Sequence, residues 1–164
     1  MKLSTLFILV AAVMLLSLAS FGQTATGNLS VSANVQPACS VNAGGTMAFG
    51  TYDPLSGTDH DATGQINLTC TFGADAAIKL DQGGHDGGGS LAAPDRRMLG
   101  NTADFLDYQL FSDSSRVTEW EGSTGVPYTG DGTAEDVTVY GRIPAGQLVP
   151  QGNYTDSVTI TVTY

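Results

Sequence analysis

Apolar and small polar residues alternate in short runs along this chain, and a cluster of Gly, Pro, Asp or Asn closes each run. Alternation with period two puts successive side chains on opposite faces of an extended backbone, so each run predicts a half-buried strand. The runs fall at residues 29–35, 46–49, 64–72, 76–80, 106–112, 137–143 and 154–164. The turn signals between them include Asp53-Pro54, the glycine-rich stretch 82–89, Thr129-Gly130-Asp131-Gly132 and Pro150-Gln151-Gly152. Beyond the N-terminal apolar run no window shows helical periodicity. The pattern therefore predicts an all-β sandwich or barrel of seven strands, an immunoglobulin-like number.

Two runs stand apart. The last alternates from Tyr154 through Val158, Ile160 and Val162 to Tyr164, the final residue of the sequence, and carries one charge, Asp156. Nothing follows it in the sequence to pair with, so its free edge is expected to be covered by long-range pairing, protected, or used. The first places Leu29, Val31, Ala33 and Val35 on one face and carries no charge at all.

Ahead of it, Lys2, an apolar run over residues 6–16, and the small residues Ser17, Ala19, Ser20 and Gly22 have the make-up of a secretory signal peptide. Cleavage is expected after Gly22, within two or three residues. The apolar run is shorter than the roughly 20 residues that a membrane-spanning helix needs, so the mature chain of about 142 residues is expected to be exported and to have no membrane span. An oxidising compartment then makes a disulfide of the two cysteines, Cys39 and Cys70, for which only one connectivity exists. Closing that loop stabilises the fold by roughly 3–4 kcal/mol on the chain-entropy view. Two buried free thiols are the alternative. A core Trp between the cysteines would mark an antibody-type domain, but the single Trp, Trp120, lies after Cys70, which excludes that subtype.

Without Lys2 the chain keeps five basic and sixteen acidic side chains, a net charge of −11. Nucleic acid and anionic membrane surfaces are therefore poor partners. Every acid lies at Asp53 or later, leaving residues 23–52 uncharged.

Candidate chemistry is sparse. The turns 81–86 and 131–136 are rich in Asp and Gly but lack the ligand order of a calcium loop, and Asp and Gly suit turns on backbone grounds alone. His60 and His85 each sit among Asp and Gly, too few ligands for zinc, and read as exposed loop residues. No Gly-x-Ser-x-Gly elbow occurs, and Glu119 and Glu121 flank Trp120 without a predicted cleft. Trp120 itself could stack on a sugar. No enzyme, cofactor or metal site is expected.

Taken in order, Thr26-Gly27-Asn28-Leu29, Cys39-Ser40-Val41, Phe49-Gly50-Thr51-Tyr52, Ile66-Asn67-Leu68-Thr69-Cys70, Ile78-Lys79-Leu80-Asp81-Gln82-Gly83, Arg97-Met98-Leu99, Leu106-Asp107-Tyr108-Gln109-Leu110-Phe111, Val139-Tyr140-Gly141-Arg142-Ile143 and Gly152-Asn153-Tyr154-Thr155-Asp156 resemble the spore coat protein U domain family, the pilin-type subunits of archaic chaperone–usher pili. The resemblance covers nearly the whole mature chain. It implies an incomplete immunoglobulin-like sandwich that lacks its last strand and is completed by donor-strand exchange. A periplasmic chaperone would lend a strand first. At the outer-membrane usher the N-terminal strand of the next copy would then replace it, and an extracellular fibre, a fimbria supporting adhesion and biofilm, would grow.

On this view residues 1–22 are the signal peptide, 23–36 the donor segment and 37–164 the sandwich. Leu29, Val31, Ala33 and Val35 would be the donor face, and Val158, Ile160, Val162 and Tyr164 would line the acceptor groove. Residues 29–35 could instead be an ordinary first strand, and Val35, close to Cys39, could pack in its own domain. Two other functions stay open: a non-polymeric spore-coat or cell-surface protein of the same fold, and a secreted sugar-binding adhesin module.

Overall fold

The computed structural model describes residues 22–43 and 45–164; most of the expected signal peptide lies outside them. The chain divides into two units, Met1–Asn34 and Val35–Tyr164. In the first, residues 22–34 carry no strand and are exposed throughout.

The second unit is all β among its described residues. Its strands are β1 (Cys39–Ala43), β2 (His60–Cys70), β3 (Asp75–Leu80), β4 (Arg96–Gly100), β5 (Phe105–Phe111), β6 (Val126–Thr129), β7 (Ala134–Ile143), β8 (Tyr154–Thr155) and β9 (Ile160–Thr163). They form two antiparallel sheets, one of six strands in the order β1-β2-β7-β5-β4-β8 and one of three in the order β6-β3-β9.

Alternation builds this arrangement directly. Ile66, Leu68 and Cys70 on β2, Leu106, Tyr108 and Leu110 on β5, and Val139 and Ile143 on β7 face inward from the larger sheet. Ile78 and Leu80 on β3 face them from the smaller. The spine is the β2–β7 ladder, which runs in register from His60↔Ile143 to Thr69↔Ala134. Cys39 and Cys70 are joined in a disulfide and also oppose each other in the β1–β2 ladder, so the bridge ties neighbours within one sheet.

Trp120 is 1% exposed, and its indole N–H donates to the Ile78 carbonyl at 2.8 Å. It belongs to the core and offers no face to a sugar.

Three strands lie where no run was expected. β1 follows directly after Ala38, β4 opens on two arginines, and β6 contains Pro127. A Pro donates nothing to a ladder and so suits an edge strand; β6 is one, paired only with β3. Conversely, residues 46–49 carry no strand. The run expected over 154–164 is split: β8 pairs with β4 in the larger sheet and β9 with β3 in the smaller, so the chain changes sheets over residues 156–159.

Candidate functional site

Two free edges face the same seam. β1 pairs only with β2, β9 pairs only with β3, and the two come close to each other without pairing. Beyond β1 and ahead of β9 the seam widens into an apolar groove, with a wall on each side and a floor of core side chains.

The first wall is the segment after β1. Its side chains alternate as in a strand over residues 46–50, where Met47 and Phe49 turn inward and are half-buried while Thr46, Ala48 and Gly50 are exposed. Tyr52 turns inward again after the exposed Thr51. Glycines in the larger sheet let this segment lie close. A Cβ on Gly141 would stand 2.7 Å from the Phe49 ring, and one on Gly64 would stand 3.3 Å from Met47. The Phe49 ring meets Tyr108 edge-on at 6.0 Å. The Tyr52 hydroxyl donates to the Pro144 carbonyl at 3.1 Å and accepts from the Gln147 N–H at 3.0 Å. His60 begins β2 and hydrogen-bonds the Phe49 carbonyl, so it is built into the wall and is not a free loop residue.

The second wall is the stretch that changes sheets. Tyr154, Asp156, Val158 and Ile160 turn inward one after another, and the residues between them are exposed. The crossover is fixed by Asp81, whose N–H donates to the Thr159 carbonyl at 3.1 Å and whose carboxylate accepts the Thr159 N–H at 2.8 Å. Burial alone would raise the pKa of that carboxyl, but the hydrogen bonds from Thr159 and Gly83 hold it below the usual carboxylate range.

Between the walls, over Ile66, Leu80, Met98, Tyr108, Leu110 and Val139, lies a cavity of about 510 Å³. It shares Met47, Phe49, Met98, Tyr154 and Thr155 with a wider cavity of about 1240 Å³, floored by Met98, Leu106 and Ile143 between residues 47–55 and 148–155.

Among the described residues, Asp156 is the one charged side chain lining the inner cavity. Its carboxylate is 3% exposed and is held by the Tyr108 hydroxyl at 2.7 Å, the Gly84 N–H at 2.9 Å and His85 Nδ1 at 3.1 Å. His85 is therefore a partner of the groove wall and not an exposed turn residue. Burial, reinforced by the bond to Asp156, pushes the Tyr108 hydroxyl above the usual phenol range, so it stays a donor at any physiological pH. Hydrogen-bonded in this way, Asp156 lines the groove beside the apolar side chains of Val158 and Ile160. Among the described residues no group of three His, Cys, Asp or Glu side chains converges to hold a metal.

Of the four residues expected to line an acceptor groove, Val158 and Ile160 line the inner cavity. Val162, on β9, is half-buried against the core, whereas Tyr164 is 57% exposed and stands outside the lining. Leu29 and Val31, of the expected donor face, are 88% and 85% exposed, and Ala33 and Val35 are exposed too.

Sequence reasoning missed the first wall. Its alternation was visible, but nothing in it distinguishes an extended segment without ladder partners from an ordinary strand. The available signal was charge: the uncharged stretch runs past residue 35 to Tyr52, through the whole of that wall.

The Spore Coat Protein U domain model matches residues 25–161 of the chain. A relative, "Protein U" of Myxococcus xanthus, is 42% identical over 153 residues, covering 86% of each chain. Among solved structures, the fold is similar to a chain of the CsuC–CsuE chaperone–tip adhesion subunit pre-assembly complex from the archaic chaperone-usher Csu pili of Acinetobacter baumannii, with a TM-score of 0.56 and 22% identity. That match covers 79% of this chain and 40% of the solved one.

Proposed function

The chain belongs to the Spore Coat Protein U domain family, and from that footing we propose that it is a structural subunit, of the shaft type, of an extracellular chaperone–usher fibre. It has no enzymatic role. Residues 1–22 direct export, residues 23–36 form the donor segment, and residues 37–164 form the acceptor sandwich. A periplasmic chaperone covers the groove until, at an outer-membrane usher, residues 23–36 of another copy replace it. The finished fibre stands on the cell surface and supports adhesion and biofilm.

The observation that carries this reading is the open seam: two unpaired strand edges flank an apolar floor that no described segment of the chain covers with a strand. Exposed edges of this kind pair with whatever strand is offered, and strand addition supplies main-chain hydrogen bonds together with pockets for alternate side chains. The uncharged segment at 23–36 suits such a groove because a buried unpaired charge is costly. Burying Leu29, Val31 and Val35 is worth roughly 5–9 kcal/mol gross at about 1.5–3 kcal/mol for each large side chain, an upper bound because an unfolded chain is not fully extended. Head-to-tail contacts of this kind are heterologous and build filaments, not closed dimers.

Val31→Asp tests the reading. The variant is expected to bind a periplasmic chaperone as the parent does but to form no SDS-resistant polymers. Polymers from that variant would overturn the donor assignment. The family description and the name of the Myxococcus relative favour one second reading, a coat protein that uses the same sandwich without polymerising. Purified parent chain that is monomeric in SDS at every temperature would support it.

A further inference from the structure

We propose that the junction between the donor segment and β1 is built to keep residues 23–36 out of the groove of their own sandwich, so that only a second copy can fill it. This rests on the donor reading above.

The problem is one of concentration. Val35 is followed by only Gln36, Pro37 and Ala38 before β1 begins at Cys39. A segment tethered this closely to an acceptor has an effective concentration in the millimolar range if the geometry allows contact. Against copies at about 10 µM, closure in cis would win by about a hundredfold. Fibre growth therefore requires that the geometry forbid it.

Ala38 is clamped. Its carbonyl accepts the Thr71 N–H at 2.8 Å and the Thr71 hydroxyl at 3.2 Å, and its own N–H donates to Thr71 Oγ1 at 3.1 Å. The next residue, Cys39, is bonded to Cys70 and opposes it in the ladder. The chain direction is thus fixed at two successive residues along the continuation of β2.

To lie back along the free edge of β1, residues 29–35 would have to reverse within Gln36 and Pro37. Two-residue hairpin loops favour types I′ and II′, which need positive φ at the first central residue, and in type I′ at the second as well; type I splays the strands and disfavours Pro at its second central position. Pro37 is locked near φ −65°, which excludes type I′. Gln36 would have to adopt positive φ for type II′, where Gly is required, and the Pro after it confines it to extended backbone. A three-residue turn would free Ala38 only by breaking all three bonds to Thr71. Entry from the far end fails on reach, since three residues span about 10 Å and a seven-residue strand is about 23 Å long.

The test lengthens the junction in the full mature chain. About fifteen Gly and Ser residues between Val35 and Gln36 give a root-mean-square reach of about 20 Å, enough for the segment to enter its own groove. Refolded at about 10 µM without chaperone, the lengthened chain is expected to be a monomer that stays folded in SDS until heated, while the parent chain forms oligomers. A lengthened chain that still oligomerises, or a parent chain that is itself a self-closed monomer, overturns the inference.

A synthetic peptide of residues 23–36 added to the Val31→Asp chain separates the two claims. If the peptide raises the melting temperature of that chain but the lengthened chain oligomerises, the donor reading stands and the junction inference falls. If the peptide has no effect, both fall.

Discussion

Arg96 shows how single side chains hold this sandwich together. It is 1% exposed, and it donates to the carbonyls of Asp81 at 2.8 Å, Leu80 at 3.0 Å and Trp120 at 2.7 Å, which joins β4 of the larger sheet to the end of β3 in the smaller. Glu119 stands 3.8 Å from its remaining nitrogen, and burial raises the pKa of that carboxyl despite the cation beside it. Arg96→Met leaves the buried carbonyls of Leu80 and Trp120 and the part-buried carbonyl of Asp81 without this donor, at about 1–3 kcal/mol for each buried one. Urea unfolding of the purified variant is expected to show a loss of at least about 2 kcal/mol. Tyr108→Phe removes one of three partners from Asp156 and is expected to cost about 1.5–3 kcal/mol, the range for a hydrogen bond to a charged group. Asp61 gives the acid response a definite sign. Hydrogen bonds from Arg142, opposed by burial and aided by the charges of Arg116 and Arg142, hold its carboxyl below the usual range. A depressed carboxylate stabilises the fold above the unfolded-state pKa of about 4 and loses that contribution as pH falls through the folded-state value. Asp61→Asn should therefore be less stable than the parent near pH 7, with the gap closing below about pH 4. A gap that stays constant with pH would contradict the assignment.

At the scale of elements, the disulfide ties β1, which follows the proposed donor segment, to β2. Replacing both Cys39 and Cys70 by Ser opens a loop of sequence separation 31 and is expected to cost about 2–4 kcal/mol in urea unfolding. Amide protection on β1 should fall more than on β7. Strands β2, β3, β5 and β7 were legible in the sequence because their inward residues are uniformly apolar or aromatic. β4 was not, because its inward row is Arg96, Met98 and Gly100, and a buried cation at one end with a glycine at the other breaks the apolar pattern that signals a strand. β6 was hidden by Pro127 and β1 by its small residues and brevity. The tail misled for the opposite reason: alternation continues unbroken from Tyr154 to Val162, and the period is the same whether the chain stays in one sheet or crosses to the other. Only the carboxylate of Asp156, inward and satisfied by Tyr108, Gly84 and His85, marks the crossover, and those partners lie 48 to 72 residues away in sequence. Half of the groove could thus be read from the sequence. The wall at 45–52 could not, because its meaning lies in what it leaves unpaired.

For the whole molecule, charge and assembly are kept apart. The acids all lie at Asp53 or later, and the proposed donor segment, residues 23–36, has none. On the proposed export, which removes Lys2, copies carry a net charge of −11 and repel one another over about a Debye length, some 10 Å at 0.1 M salt. Polymerisation is therefore expected to quicken as salt rises, while the temperature at which finished polymers come apart in SDS stays unchanged; light scattering and graded heating measure the two. The most direct test of the central claim is to place a photoreactive side chain at position 31 of isotope-labelled copies, assemble them with unlabelled copies, irradiate, and identify the joined peptides by mass spectrometry. The account predicts links from labelled position 31 to residues 45–52 or 156–163 of unlabelled copies. Links confined to the labelled chain itself, or to residues outside those two walls, would contradict it.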